Sequence, residues 1–241
     1  MASVKDHYQQ VLSDVYSWML GGFDAAVQRN SEFFAERQLR PRGSAIAVDL
    51  GAGCGFQSIP LARAGYTVTA IDIDEQLLGE LSNNAADLPI TTVQDDLMHF
   101  DQYVGGNIEL AVCMTDTIVH LESKQQVSAL FAKVFAALHD GGQWIITFRD
   151  LTYELSDLER FIPVKSDDNI IFTCFLEYEP ETVKVHDIVY KKSQGQWALA
   201  KSFYRKLRLS QDWMTDQLSS AGFNKIDASD NNGMITLIAS K

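Results

Sequence analysis

The sequence predicts an α/β protein with a mostly parallel sheet and helices on both of its faces. Three observations predict it. Residues 46–50, IAVDL, are an apolar run broken only by Asp49, the pattern of a strand buried on both faces. The run turns into Gly51-Ala52-Gly53-Cys54-Gly55 and resumes from Phe56 to Ala62 as a helix, with Pro60 near its start where proline is tolerated. Residues 66–73, YTVTAIDI, then read as a second strand ending at Asp72, and strand-like and helix-like segments keep alternating to about residue 150.

A glycine turn between a buried strand and a helix lets a ligand approach bare backbone. Its N–H groups and the helix dipole favour a carboxylate or phosphate there. Asp72, about twenty residues further on, can accept from a ribose diol and would repel a 2′-phosphate. These two features alone fit any adenosine-type cofactor, a nicotinamide dinucleotide included. The glycine spacing separates the options. A dinucleotide fingerprint is G-x-G-x-x-G, whereas this turn is G-x-G-x-G and Phe56 stands in the slot of the last fingerprint glycine.

VDLGAGCG, followed by AIDID and then VQDDL, resembles the class I methyltransferases that use S-adenosylmethionine. The likeness covers roughly residues 45–150 with the C-terminal helix and hairpin. It implies a three-layer Rossmann-like methyltransferase fold on a seven-stranded sheet. It also implies S-adenosyl-L-methionine as cofactor, with S-adenosyl-L-homocysteine as product. By that likeness Gly51, Ala52, Gly53 and Gly55 hold the amino acid end, Asp72 the ribose, and Ile73, Asp96 and Leu97 the adenine. Asp95 is not separable from Asp96 on sequence. Asp49 is assigned to fixing the glycine loop or reaching the amino group. N-terminal helices often lie over the cofactor in this family, so Tyr16 and Trp18 are expected to close the site from above, core packing being the alternative.

Taken in order, residues 6–20 carry apolar side chains at helical spacing until Gly21-Gly22, and residues 23–39 form a second amphipathic helix. Pro41-Arg42-Gly43 leads into the central strand. A helix over 75–86 and a short strand over 89–93 follow. Residues 107–115 form the fourth strand, whose end, with Met114 and Thr115, falls at the carboxyl edge where α/β ligands bind. The helix over 123–138 is expected to be capped by Gly141-Gly142 before a fifth strand at 143–148. Three antiparallel strands are expected as an insertion, at about 170–178, 183–190 and 197–209. A last helix at 211–221 and a hairpin around Asn231-Asn232-Gly233 close the chain. The expected division is 1–42 helical cap, 43–150 cofactor-binding core, 151–209 β insertion for substrate or dimer contacts, and 210–241 completing the core.

Composition narrows the acceptor. The 241 residues carry a net charge of −12, a poor match for nucleic acid or an anionic membrane, so neither is expected as a partner. Three separated cysteines suggest neither a zinc site nor a disulfide framework, and no metal cluster is visible. With no signal-like start and no spanning apolar run, a cytoplasmic protein acting on a small molecule is expected. His120, in the loop after the fourth strand, is the candidate base. Arg149 and Arg205 are candidate anchors for an anionic group of the acceptor. Arg205 shares one face of the last inserted strand with Trp197, Leu199, Lys201, Phe203, Leu207 and Leu209, whereas Lys206 and Arg208 are expected to be solvated. The free edge of the inserted sheet gives a route to a homodimer. Two other readings stay open on sequence: a non-catalytic binder of the same cofactor or its product, and an NAD-dependent oxidoreductase.

Overall fold

The computed structural model describes residues 3–241. The chain enters on α1 (Val4–His7), whose Ser3 side chain accepts from the Asp6 amide while Asp6 reciprocates at the Ser3 amide. The helix expected over 6–20 is broken: a π-turn (Tyr8–Leu12) and a 3₁₀ turn (Ser13–Val15) separate α1 from α2 (Tyr16–Met19). Ser13 and Asp14 are weak helix formers, and the Ser13 hydroxyl donates to buried Asp74 instead of solvating the helix, at 3.0 Å. After Gly21-Gly22 comes α3 (Phe23–Glu36).

The core then alternates as β1 (Ile46–Leu50), α4 (Ser58–Arg63), β2 (Thr67–Asp72), α5 (Glu75–Ala85), β3 (Ile90–Gln94), β4 (Ile108–Cys113), α6 (Lys124–Ala137) and β5 (Leu138–Arg149). Leu138 is already extended (φ −68°, ψ 141°), so Gly141-Gly142 lies inside the irregular start of β5 and does not cap α6. After the inserted β6 (Phe161–Ser166), β7 (Ile170–Tyr178), β8 (Thr182–Ser193) and β9 (Gln196–Leu207), α7 (Gln211–Ala221) leads to the hairpin β10 (Lys225–Asn231) and β11 (Met234–Ser240).

The main sheet has seven strands in the order β10-β11-β5-β4-β1-β2-β3. β11 runs antiparallel to β5 and β10, and the remaining pairs are parallel. The order reverses between β1 and β4, which opens a crevice at their carboxyl ends. Val48, Leu50, Ala111 and Cys113 are buried in the core that fills one face of this sheet, together with Val127, Leu130, Phe131 and Val134 of α6.

The insertion is a four-stranded antiparallel sheet, β6-β7-β8-β9, rather than a three-stranded one. β6 escapes the pattern because Pro163 interrupts it. Proline is tolerated there because the strand is an edge, and its register shifts between Pro163 and Lys165. Val11, Leu12 and Val15 of the N-terminal segment pack with Phe172, Val183, Val185 and Val189 of this sheet, so segment and insertion share one apolar cluster. Along most of β9 the faces are the reverse of the expectation; only at its end does the odd-numbered Leu207, with Leu209 just beyond, turn into the main core. Tyr204 is buried on the even-numbered face, and Trp197 and Leu199 stand 45% and 48% exposed on the odd-numbered one. β9 follows the alternation of β8, where Val183, Val185 and Val189 are the buried residues opposite Lys206, Tyr204 and Ala200.

Candidate active site

The crevice is a cavity of about 260 Å³. Gly51 and Gly53 line it from the turn after β1, Asp72 and Ile73 from the tip of β2, and Asp95, Asp96 and Leu97 from the turn after β3. Thr117 and His120 line it from the loop after β4, and Tyr8 and Tyr16 of the N-terminal segment also border it. Nine of the sequence candidates are thus brought together: Tyr16, Gly51, Gly53, Asp72, Ile73, Asp95, Asp96, Leu97 and His120.

The turn works differently from a row of bare donors. Gly51 and Ala52 donate their amides to the Ile71 carbonyl (2.9 and 3.0 Å), and Gly55 donates to Ala52 (2.9 Å). The Gly53 amide donates to Asp72 Oδ2 at 2.8 Å. What the turn offers is close approach. Gly51 has φ +81°, and a Cβ there would stand 2.2 Å from Thr117 Cγ2, whereas a Cβ on Gly53 would meet Tyr16 Cε1 only at 3.7 Å. Gly55 is needed for packing instead, since its Cβ would fall 2.2 Å from Leu81 Cδ1.

Asp72 therefore has a second task, clamping the turn. Its Oδ1 also accepts the Asp74 amide at 2.9 Å. Burial raises its pKa against the lowering effect of those two backbone bonds. Of the two acidic neighbours after β3, Asp95 is engaged by Tyr103, His99 and the Asp96 amide. The Tyr103 hydroxyl leads in drawing its pKa down to about 2. Asp96 caps the next turn through Oδ1, accepting from Met98 at 2.8 Å.

Asp49 is 1% exposed and lies behind the turn, not in the cleft. Its Oδ2 accepts from Ser58 at 2.6 Å, while its buried Oδ1 has no protein partner. Burial raises its pKa to about 7, so the folded state holds a proton that the unfolded chain releases near pH 4. The resulting stabilisation is complete below that pH and is lost as pH rises through about 7. Asp49→Asn should accordingly be about 4 kcal/mol more stable than the parent at pH 8 and unfold at a higher temperature. The difference should vanish at pH 4, as thermal melts across that range will show.

Other candidates fall outside the cleft lining. Trp18 points to the inserted sheet, where its Nε1 donates to Asp167 at 2.6 Å. Ala52 and Met114 are buried in the core, and Thr115 is taken up by the Gln57 amide at 3.1 Å and the Thr147 hydroxyl at 2.7 Å. Arg149 and Arg205 do not converge. Arg205 pairs with Glu179 through Nε at 2.7 Å, and Arg149 pairs with Asp116. Lys206, expected in solvent, is instead 14% exposed and donates to the same Asp116 at 3.0 Å. Arg208 is also held, by the carbonyls of Leu151, Thr152 and Glu179. The apolar stripe of β9 suggested an inward odd face, and only the pairing with β8 reverses it.

Asp116 is 4% exposed in a left-handed conformation, φ +67°. Burial would raise its pKa, but Lys206 and Arg149 prevail and hold it well below the usual carboxylate range. Beside it, His120 stacks on Tyr204 with ring centroids 5.1 Å apart and meets the Tyr8 ring at 6.1 Å. Burial, reinforced by Lys206, lowers the His120 pKa to about 3, so the ring is neutral at physiological pH. Its Nδ1 is buried without a partner. Tyr8 escaped the sequence reading, since it shares the spacing of Val11 and Leu12 and reads as core; Thr117 belongs to the loop expected at this edge but is not singled out by the sequence.

Residues 47–142 match the family model described as a methyltransferase domain. Over those residues the chain has the sequence pattern of a methyltransferase domain. The domain's chain is similar to the glycine/sarcosine N-methyltransferase of Parasynechococcus marenigrum, with 27% identity over 150 residues, 60% of this chain and 53% of that protein. The chain spans about half the length of the curated glycine/sarcosine N-methyltransferases it matches. Among solved structures, an S-adenosylmethionine-dependent methyltransferase from Clostridium acetobutylicum superposes with TM-score 0.75 at 16% identity, covering 95% of this chain and 96% of that one. The amino pentose methyltransferase CalS10 of Micromonospora echinaspora, solved with its cofactor bound, superposes with TM-score 0.74 at 14% identity, covering 96% of each. The fold of the methyltransferase domain and its inserted sheet is thus shared along nearly the whole chain. No helix among the described residues is long and apolar enough to cross a membrane.

Proposed function

We propose that this chain transfers a methyl group from S-adenosylmethionine to a small-molecule acceptor through an N–H or O–H of that acceptor. The observation that carries the reading is the convergence of the Gly51–Gly53 turn, Asp72 and the Asp95–Leu97 turn on one cavity at the reversal of strand order. Two details fit the cofactor. The missing side chain of Gly53 leaves room below Tyr16, and the Asp49 carboxyl behind the turn, protonated while the cleft is empty, offers an unpartnered Oδ1 as acceptor toward an ammonium group. The similarity to a glycine/sarcosine N-methyltransferase and to an amino pentose methyltransferase supports a small acceptor.

When bound, the cofactor supplies a sulfonium methyl and a neutral leaving group, so the residues mainly orient, dehydrate and manage a proton. Asp72 accepts from the ribose diol, and Asp96 and Leu97 face the adenine. Tyr8 and Tyr16 roof the cleft and exclude water. His120, neutral down to about pH 3, is too weak a base to take a proton early. It serves as a hydrogen-bond acceptor that aims the N–H or O–H. Arg149 is spent on Asp116 outside the cleft lining and Arg205 on Glu179 in the inserted sheet, so neither is assigned to the acceptor.

Turnover against a panel of small amines, hydroxy acids and phenols tests the reading, with demethylated cofactor measured as product. His120→Phe should cut kcat about a hundredfold on the accepted substrate while leaving affinity for S-adenosylhomocysteine unchanged. Binding of S-adenosylhomocysteine with no turnover on any acceptor would instead favour a non-catalytic binder.

The same reading includes a homodimer and a reducing, cytoplasmic setting in which the three thiols stay free. The outer face of the inserted sheet, rather than its edge, supports the dimer. Phe161, Phe175, His186 and Phe203 form one row across all four strands, with ring centroids 4.7, 5.6 and 5.2 Å apart. Four strands of this length present roughly 600 Å², close to the ~800 Å² per partner of a stable interface. Sedimentation should give twice the chain mass, and Phe203→Glu should return it to one.

A further inference from the structure

The opposite edge of the main sheet holds a second cavity of about 260 Å³, at the amino ends of β1 and β4. Arg37, Arg40, Arg42, Glu109 and His139 line it. Strands of five or six residues separate it from the methyl-transfer cleft, a distance of roughly 17–20 Å.

Its electrostatics run against the rest of the molecule. Three arginines fall within residues 37–42 of a chain whose net charge is −12. Arg37 is held in place, donating to the Phe33 carbonyl at 3.0 Å and lying 3.6 Å over the Phe33 ring. No described acceptor takes a bond from the guanidinium of Arg40 or Arg42. Glu109, the carboxylate that would repel an anion, is already committed. It accepts the amides of Arg42, Gly43 and Ala45, the last two at 3.0 and 2.9 Å, and so pins the arginine loop to β4.

His139 supplies the independent sign of a ligand. Its Nδ1 donates to the Asp140 carbonyl at 2.7 Å, which leaves the neutral ring's lone pair on Nε2. That Nε2 is buried without a partner and lies 3.4 Å from the point a Cβ on Gly43 would occupy, beside the arginine loop. A buried polar atom left unpaired is costly, and a bound group that donates to it removes the penalty.

We propose that this cavity binds a small phosphate monoester or inorganic phosphate. A monoprotonated phosphate brings acceptor oxygens for the guanidinium forks and an O–H for Nε2 of His139, whereas a carboxylate brings no donor at neutral pH. The volume suits one such group with a small substituent. A nucleic acid is disfavoured by the chain's net charge of −12.

Thermal unfolding with inorganic phosphate, ribose 5-phosphate, acetate, and sodium chloride at matched ionic strength tests the site. Phosphate should raise the melting temperature in a saturable way, and acetate and chloride should not. A larger rise with ribose 5-phosphate than with inorganic phosphate would assign the site to a monoester, and the reverse order to the free ion. The double variant Arg40→Gln, Arg42→Gln should weaken the apparent affinity at least tenfold while binding S-adenosylhomocysteine as the parent does. His139→Phe should weaken it as well, with the arginines intact. A parent protein that responds equally to phosphate and to matched chloride would overturn the site, as would a double variant that keeps the full phosphate response. Neither result would bear on methyl transfer.

Discussion

Asp72→Ala is expected to weaken binding of S-adenosylhomocysteine at least a hundredfold in calorimetry. Hydrogen bonds to a charged group contribute about 1.5–3 kcal/mol each, and a ribose diol brings two. At about 1.4 kcal/mol per tenfold, their loss alone reaches that figure. The structure adds a second reason. The same carboxylate accepts the amides of Gly53 and Asp74, so removing it also frees the glycine turn that the cofactor must touch. Asp72→Asn separates the two effects: its amide oxygen can still accept from one backbone N–H, so part of the affinity should return. If alanine and asparagine variants both bind as the parent does, the cleft is not the cofactor site.

The largest loss of stability is expected from Asp116→Ala. Lys206 is 14% exposed, and Asp116 also accepts the Arg149 amide at 2.7 Å, so this change strands a largely buried ammonium and an unpaired backbone donor. Breaking one partner of a buried pair costs about 3–5 kcal/mol. For a chain of this length that corresponds to a fall in melting temperature of roughly 6–20 °C. Adding Lys206→Met should recover part of the loss, because the stranded charge goes with it. Additive losses in the double variant would show that the pair does not tie β9 to the main sheet.

Asp116 and Lys206 also mark where the sequence stops being legible. The glycine turn, the acidic tip at Asp72 and the turn at Asp95–Leu97 are local features, each set by a strand end and the residues just after it. Three such strand ends meet at one edge once the sheet is parallel, so most of the proposed cofactor cleft is legible in the sequence. Residues that reach the cleft from distant segments could not. Tyr8 looks like one more apolar position of a helix, and only the packing of Val11 and Leu12 on the inserted sheet turns it over the cleft. Arg149 and Arg205 are both cations near the right place in the chain, yet Asp116 and Glu179 take them to separate ion pairs.

The inserted sheet shows the same boundary. Its strands were visible as alternating runs, except β6, whose proline hid an edge strand. Which face of β9 turns inward was not visible, because both faces carry apolar side chains and the choice is made by register with β8. By itself the sequence determined a doubly wound core, the place of the glycine turn and the acidic tips that converge beside it, because these depend on residues close together in the chain. Only the tertiary structure decided which side chains roof the cleft and which cations are spent on buried carboxylates. Those outcomes rest on pairings between residues far apart in the chain, and no local pattern encodes them.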